Sequence, residues 1–494
     1  MDAYQCIHCY NICAWQGYRR RRYPMATTMA SRHAIPGPRS LPLLSWRGGM
    51  LKLYQRPFSF LRDLHATYGD VVTLAQGTST YVCAFGPDLN FQVLSNPQLF
   101  QAGGDVSVTK FRQDTAFGKL MSQNLMQMDG EKHRQHRRLM QPAFHRQQIA
   151  AYHQDMMSLT QQLLESWREQ TQINVHREMQ DLTLRIAVKT LFGVYDEEEL
   201  QHVGTLLRDM TRSMLLTMAL PYDIPGTPYH RVLRLSEELT AFMRATIARK
   251  RAHNEEADVL SALIHAHDEE GATLSDDELI GHAFALFVAG HETTANALSW
   301  ILLLLSQHPQ VCAELLEELD GALQGSVPTL EQLSQLSLLD GVIKESLRLF
   351  PPAAIGIRIA SEACDLGGYA LPKGTNVVYS EFLTHRLPEL YTNPDHFLPK
   401  RWASLTRSPY EYLPFSAGRH MCIGLSFATQ EMKVVLAMLL QRYRLEPVPN
   451  AKISTQLSMR PVPGIPMHVF PQDRSFKRVP VRGTIHQLVE LPKA

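Results

Sequence analysis

The stretch FSAGRHMCIG, residues 415–424, decides how this 494-residue chain is read. It stands directly before an apolar segment with helical spacing, from about Leu425 to Tyr443. Gly418 and Gly424 allow backbone turns closed to other residues. Cys422 falls just ahead of the expected helix start, where free N–H groups and the helix dipole favour a thiolate. A soft metal ligand or a nucleophile must be a thiolate. Alone, a cysteine buried in a turn is more often structural. With a Phe, two Gly and a basic residue at fixed offsets from it, the balance moves towards function.

Upstream, Ser275-Asp276-Asp277-Glu278 has capping-box spacing, and an apolar-rich stretch follows until His308-Pro309 stops it. That predicts a helix of roughly 30 residues and about 45 Å, apolar nearly all round and therefore buried. Inside it lies Ala289-Gly290-His291-Glu292-Thr293-Thr294. Two small residues in mid-helix cost propensity, so something needs the room. An acid and a hydroxyl in an apolar helix need partners. Two readings stand: a satisfied buried pair that kinks the helix, or a proton relay beside a bound group.

Further helices are expected from Pro309, with an acidic face of Glu314, Glu317 and Glu318, and ending at Phe350 before Pro351-Pro352. Strand-like pieces are few: Val71–Leu74, Thr80–Phe85, Asn376–Tyr379 and Met467–Phe470. The fold class is mainly α with a small β portion. Ile35-Pro36-Gly37-Pro38 cannot be helix and marks where an N-terminal arm meets the body. We read 1–33 as a basic N-terminal extension of poor order, 34–470 as one large unit, and 471–494 as an appended C-terminal tail.

Hydrophobic residues at 45 % and charged residues at 20 % are values of a globular protein. Lys+Arg is 49 and Asp+Glu 48, so nucleic-acid binding by bulk attraction is not expected. Seven cysteines make no disulfide scaffold, and a reducing compartment fits. No apolar run reaches transmembrane length, and no apolar region follows Arg19–Arg22 as in a secretory signal. Residues 3–62 hold ten Lys/Arg and no Asp or Glu. That reads first as a flexible basic leader with a start at Met25 or Met29, and second as an organellar presequence or a membrane-surface contact. Cys6, His8, Cys9 and Cys13 make a weak zinc case, since no second knuckle follows; Cys83, Cys312 and Cys364 read as packing.

The cysteine string resembles the haem-binding loop of the cytochrome P450 family, Phe-(Gly/Ser)-x-Gly-x-(Arg/His)-x-Cys-x-Gly. Phe415, Ser416, Gly418, His420, Cys422 and Gly424 fill every specified position. The resemblance spans about 34–470 and implies the cytochrome P450 fold, with the long helix crossing over haem b (iron protoporphyrin IX). It implies Cys422 as the proximal thiolate and metal ligand, with Phe415 and Gly418 shaping the loop. His420, where Arg is more frequent, would face a haem propionate. The long-helix string is similar to the family's (Ala/Gly)-Gly-x-(Asp/Glu)-Thr-Thr motif. By that likeness Ala289 and Gly290 make room over the haem, Thr293 holds bound dioxygen and Glu292 helps deliver protons; Thr294 is packing.

Three more segments agree. Glu345-Ser346-Leu347-Arg348 puts an acid and an arginine on one helix face; alone this would be a surface pair of little worth. It resembles the family's Glu-x-x-Arg helix, and Phe397-Leu398-Pro399-Lys400-Arg401-Trp402 resembles the segment that completes its network. A buried cluster of Glu345, Arg348 and Arg401 is therefore expected. In Asp129-Gly130-Glu131-Lys132-His133-Arg134-Gln135-His136-Arg137-Arg138, His133 and Arg137 match the family's propionate-binding pair and share a face at i,i+4. Arg358 sits where the family places its other propionate arginine.

What this implies is a haem-thiolate monooxygenase inserting one atom of O2 into a small apolar substrate, a fatty acid, a terpenoid or similar. Phe284, Phe287, Ala289, Ala353, Ala354 and Ile355 are expected to overlook the iron, with Met214–Ile224 as a lid. The chain carries no flavin or iron–sulfur module and no dinucleotide fingerprint, so a separate ferredoxin or flavodoxin with its reductase is expected. Arg134, Arg138, Lys400, Arg419 and Lys433 either form a basic docking patch for it or are ordinary surface charge. Two alternatives share Cys422: a peroxide-using or peroxide-rearranging haem-thiolate enzyme, and a non-catalytic haem-binding sensor. The acid–Thr pair argues against both. The default expectations are a monomer, no transmembrane anchor and a cytoplasmic location, with organellar or peripheral-membrane forms left open.

Overall fold

The computed structural model describes residues 34–39, 46–77, 80–102, 112–169, 171–217, 222–253 and 258–492. The expectations for 1–33, including the candidate starts and the Cys6–Cys13 group, lie outside these residues, as do 218–221 of the expected lid. Helices dominate, with four small sheets among the described residues. The chain packs into two compact units, each assembled from segments distant in sequence, which is why composition shows no boundary.

The first unit draws on 34–100, 355–394 and 404–419. Its sheet is built from β1 (Val71–Thr73), β2 (Tyr81–Ala84), β3 (Phe100–Gln101), β4 (Gly356–Ala360) and β5 (Asn376–Tyr379), in the order β1-β2-β5-β4-β3. β2 and β5 run parallel with Val82 beside Val377, while β4 runs antiparallel with Arg358 opposite Val377. The two-residue repeat sends Val82, Ala84, Val377 and Tyr379 to one core, with Leu89, Val93 and Leu94. Cys83 and Val378 go to the other, against Phe60, Leu61 and Leu64 of the helix Pro57–Tyr68. Both faces are covered, so these strands read as apolar runs. Leu413 and Ala417 join the first core and tie down the chain entering the cysteine loop.

The second unit draws on 101–354, 395–403 and 420–492. Its helices include α1 (Gly130–Met140), α2 (Val175–Phe192), α3 (Asp276–Gln307), α4 (Ser337–Leu349) and α5 (Leu425–Arg442). α3 starts on the expected capping box of Ser275 and Glu278 and runs 32 residues to His308. It packs along α2, and its Trp300 stacks on Phe350 at 4.4 Å between ring centroids. α4 packs against the 3-10 turn Pro399–Ala403; at Gly341 a Cβ would lie 2.7 Å from the Pro399 carbonyl oxygen.

Two expectations are corrected. The tail is strapped to the second unit: Val481, Ile485, Leu488 and Val489 are buried, and the Glu490 N–H donates to the Asp395 carbonyl at 2.8 Å. Its apolar anchors stand at i, i+4, i+7 and i+8, a spacing open to a reading of the sequence, although only Thr484–Gln487 turns, as a short 3-10 helix. β4 and the hairpin Cys364–Leu366/Tyr369–Leu371 were also missed. The hairpin's turn, Gly367-Gly368, has both φ positive, a legible signal for a two-residue loop. Among the described residues no helix is long and apolar enough to cross a membrane.

Candidate active site

In α3 most side chains are buried, yet Ala289 and Thr293 are exposed, with Gly290 and Glu292 half-buried beside them. Ala289 and Thr293 are i,i+4 neighbours and share a face. A Cβ built on Gly290 would meet nothing within 4 Å, so no protein atom requires a glycine there. Thr293 Oγ1 donates to the Ala289 carbonyl at 2.5 Å and Thr294 Oγ1 to the Gly290 carbonyl at 2.8 Å. On the opposite side, Thr183 of α2 donates to the His291 carbonyl at 3.0 Å. Phe287 is fully buried, stacked on His291 at 4.5 Å and facing Phe192 of α2 at 6.3 Å. Phe284 is buried too. Both phenylalanines therefore belong to the core, correcting the expectation that they overlook the open face.

Within the second unit, Cys422, His420, His133 and Arg137 come together. The His133 and His420 ring centroids are 4.1 Å apart. Burial pulls the Arg137 guanidinium below its ordinary pKa, and the Cys422 sulfur acts on it in the opposite sense. Cys422 presents accessible surface, yet the protein around it withholds enough water to raise its thiol pKa. The Gly424 N–H and Arg137 work against that shift and favour the thiolate. The i,i+4 spacing on α1 does what it was expected to do: His133 and Arg137 turn inward, while Arg134 and Arg138 are exposed.

Asp129 was not singled out from sequence. It stands at the N-cap of α1 but makes no cap hydrogen bond. Its Oδ1 instead accepts from the Ala102 N–H at 3.0 Å and lies 3.3 Å from His420 Nε2. The sequence signal was Asp-Gly before a helix, which reads as a cap.

The first unit carries Phe415, Gly418 and Arg358. Gly418 has φ +71°, and a Cβ there would fall on the Leu94 carbonyl, so only glycine fits. The Leu413 N–H donates to Nε2 of the buried His385 at 2.9 Å, a support that sequence did not reveal. Phe415 is half-buried. Arg358, also half-buried on β4, donates from Nη1 to the Ile357 carbonyl at 2.9 Å.

The expected cluster around Glu345 is present in the second unit. Arg348 donates from Nε and Nη2 to the two Glu345 oxygens at 2.9 and 2.8 Å, and Arg401 Nε donates at 3.1 Å. Trp402 Nε1, at 2.9 Å, and the Leu398 N–H, at 3.0 Å, complete the set. Of the five suggested docking cations, Arg134 pairs with Glu131, Lys400 with Glu314 and Lys433 with Asp340, so these three carry ordinary paired charge.

A family model described as Cytochrome P450 matches residues 36–468. Cyclooctat-9-en-7-ol 5-monooxygenase of Streptomyces melanosporofaciens is 35 % identical over 84 % of this chain and 90 % of its own length. Cyclooctatin synthase of the same organism is 33 % identical over 92 % and 99 %. Pentalenene oxygenase of Streptomyces avermitilis is 33 % identical over 84 % and 92 %. The solved structure of retinoic acid bound cyanobacterial CYP120A1 superposes with a TM-score of 0.77 at 26 % identity, covering 89 % of this chain and all of that one.

Proposed function

Taking as premise that the chain belongs to the cytochrome P450 family and is a haem-thiolate monooxygenase, we propose that Cys422 is the iron ligand and that α3 carries the oxygen-side chemistry. The residues present fit haem b. An accessible thiol beside a backbone N–H and a guanidinium that favour charge on its sulfur, cationic or imidazole side chains for carboxylates, and one open face on a buried helix are what that group demands. When bound, the haem supplies oxygen activation, with thiolate donation favouring O–O cleavage.

Cys422 is held by the Gly424 N–H and Arg137, which stabilise negative charge on sulfur. His133, Arg137, His420 and Arg358 are assigned to the haem carboxylates, with Asp129 orienting His420. Ala289 and Gly290 keep α3 low against the bound group. Thr293 holds a proton on Oγ1, now given to the Ala289 carbonyl; a change of rotamer re-aims it. Glu292, one residue before it and half-buried, replenishes that proton.

The relatives' names specify cyclooctat-9-en-7-ol and pentalenene. We assign this chain the same substrate class, an apolar terpenoid skeleton, and a separate ferredoxin or flavodoxin with its reductase as electron source. The observation that carries the proposal is the accessible Cys422, brought together with His133, Arg137 and His420. Its test is the reduced, carbon-monoxide difference spectrum of the haem-loaded protein. A strongly red-shifted Soret band abolished by Cys422→His supports the ligand; a band at the ordinary haem position in the native chain rejects it.

A further inference from the structure

The helix Trp46–Gln55 of the first unit is held by one face only. Gly48, Gly49 and Leu53 are buried, and Trp46 and Met50 pack against the core that contains Phe60, Leu61 and Leu64. At Gly49 a Cβ would lie 2.6 Å from the Leu74 carbonyl oxygen, so the helix backbone is pressed onto the chain leaving β1. Arg47, Leu51 and Tyr54, at i, i+4 and i+7, form the outer stripe. Tyr54 is 79 % exposed, the most of any large apolar side chain among the described residues, and Leu51 is 52 % exposed. Lys52 flanks the stripe and Arg56 follows the helix end; both are exposed, and neither side chain has an acidic partner among the described residues. Arg47 lies over the Trp46 ring at 5.1 Å, which leaves its charge uncancelled. Residues 3–62 contain no Asp or Glu, so nothing on this segment offsets the three cations; the first acid to follow is Asp63, on the next helix.

We propose that the outer face of Trp46–Gln55 is a peripheral contact for an anionic lipid surface. Uncancelled cations around apolar tips are what a helix lying at such a surface presents. Leu51 and Tyr54 enter the headgroup region, which accommodates both the apolar ring and the polar tip of a tyrosine. Arg47, Lys52 and Arg56 are drawn to the lipid phosphates. Lipid fits this face better than an acidic protein does. Lysine is depleted at protein interfaces, whereas a diffuse negative surface rewards every cation of an acid-free stretch. The contact is reversible, because two apolar side chains on a short helix bury too little to anchor the chain.

The test is sedimentation of the haem-loaded full chain with vesicles of phosphatidylcholine, alone or mixed equally with phosphatidylglycerol. Binding to the mixed vesicles only, weakened by salt, is expected. Lys52→Glu with Arg56→Glu should weaken it by at least about 25-fold, since each cation near such a surface contributes about fivefold. Leu51→Ser with Tyr54→Ser leaves the charge intact and should weaken it by about tenfold. Both variants should keep the native unfolding temperature, because no buried side chain is changed. A native chain that stays in the supernatant with both kinds of vesicle overturns the proposal. So does native-like binding by either variant. If the charge variant binds vesicles like the native chain but has a raised KM for an acidic ferredoxin, the face belongs to a protein partner instead.

Discussion

Arg348 lies flat on Glu345, a bidentate pair of 2.9 and 2.8 Å in which neither side chain has any exposed surface. Glu345 also receives Arg401, Trp402 and the Leu398 N–H, so the carboxylate is fully compensated only while all donors remain. Replacing Arg348 by Ala leaves a buried charge short of its main partner, a loss of about 3–5 kcal/mol. Thermal unfolding should show a large drop. Trp402→Phe, which removes one neutral donor, should cost only about 1–2 kcal/mol.

Thr293→Ala removes the hydroxyl on the open face of α3 without disturbing a packed side chain. Haem loading and the carbon-monoxide spectrum should stay unchanged while product per reducing equivalent falls and peroxide rises. Thr293→Ser should restore most of the coupling. Equal product yields in all three proteins would remove Thr293 from the proton path.

Two glycines should respond in opposite ways. Gly290→Ala adds a methyl into open space and improves helix propensity by about 1 kcal/mol, so the unfolding temperature should hold or rise. The same methyl enters the face used by the bound group, so haem uptake or its spectrum should suffer. Gly418→Ala meets the Leu94 carbonyl at a positive φ, so folding itself should fail or weaken sharply.

Acid should destabilise the second unit through a buried histidine pair. His136 Nδ1 and His282 Nε2 are 2.8 Å apart, and the Leu125 N–H donates to His282 Nδ1. Burial holds His282 down at about 3 and lowers His136 as well. Below the ordinary histidine value the unfolded chain binds protons that the folded chain refuses. Stability is therefore lost as pH falls, by up to about 1.4 kcal/mol per pH unit for each histidine. His282→Gln should flatten the acid limb of unfolding temperature against pH; an unchanged slope would clear His282 of the effect.

Arg138 is exposed on α1, whereas Lys400 is held 2.7 Å from Glu314. Arg138→Glu should raise the KM for an acidic electron donor, with the difference shrinking in high salt. Lys400→Glu should destabilise slightly and leave that KM near native.

Local chemistry made much of this legible. Ser275 and Glu278 announced the start of α3, His308-Pro309 its end, and Asn376–Tyr379 emerged with the strand bounds expected. The face shared by His133 and Arg137 followed from spacing alone. What sequence could not give was which side of an apolar helix faces which neighbour. Phe287 looked like a pocket wall because its orientation depends on α2, far away in the chain. Asp129 drew no attention because its partner, His420, is nearly three hundred residues on. Trp402 and His385 were hidden likewise, since a hydrogen bond across the fold leaves no periodic trace.

The strapped tail has a consequence for how the protein is made. Gln307, with no exposed surface at the end of α3, donates to the Val479 carbonyl and accepts from Arg478, partners 172 and 171 positions later. A chain growing on the ribosome thus completes its longest helix well before that helix's last amide can be satisfied. Through that interval the second unit lacks these two hydrogen bonds at the end of α3. Its native packing closes only when the strap emerges, so synthesis order places this clasp among the last steps of assembly.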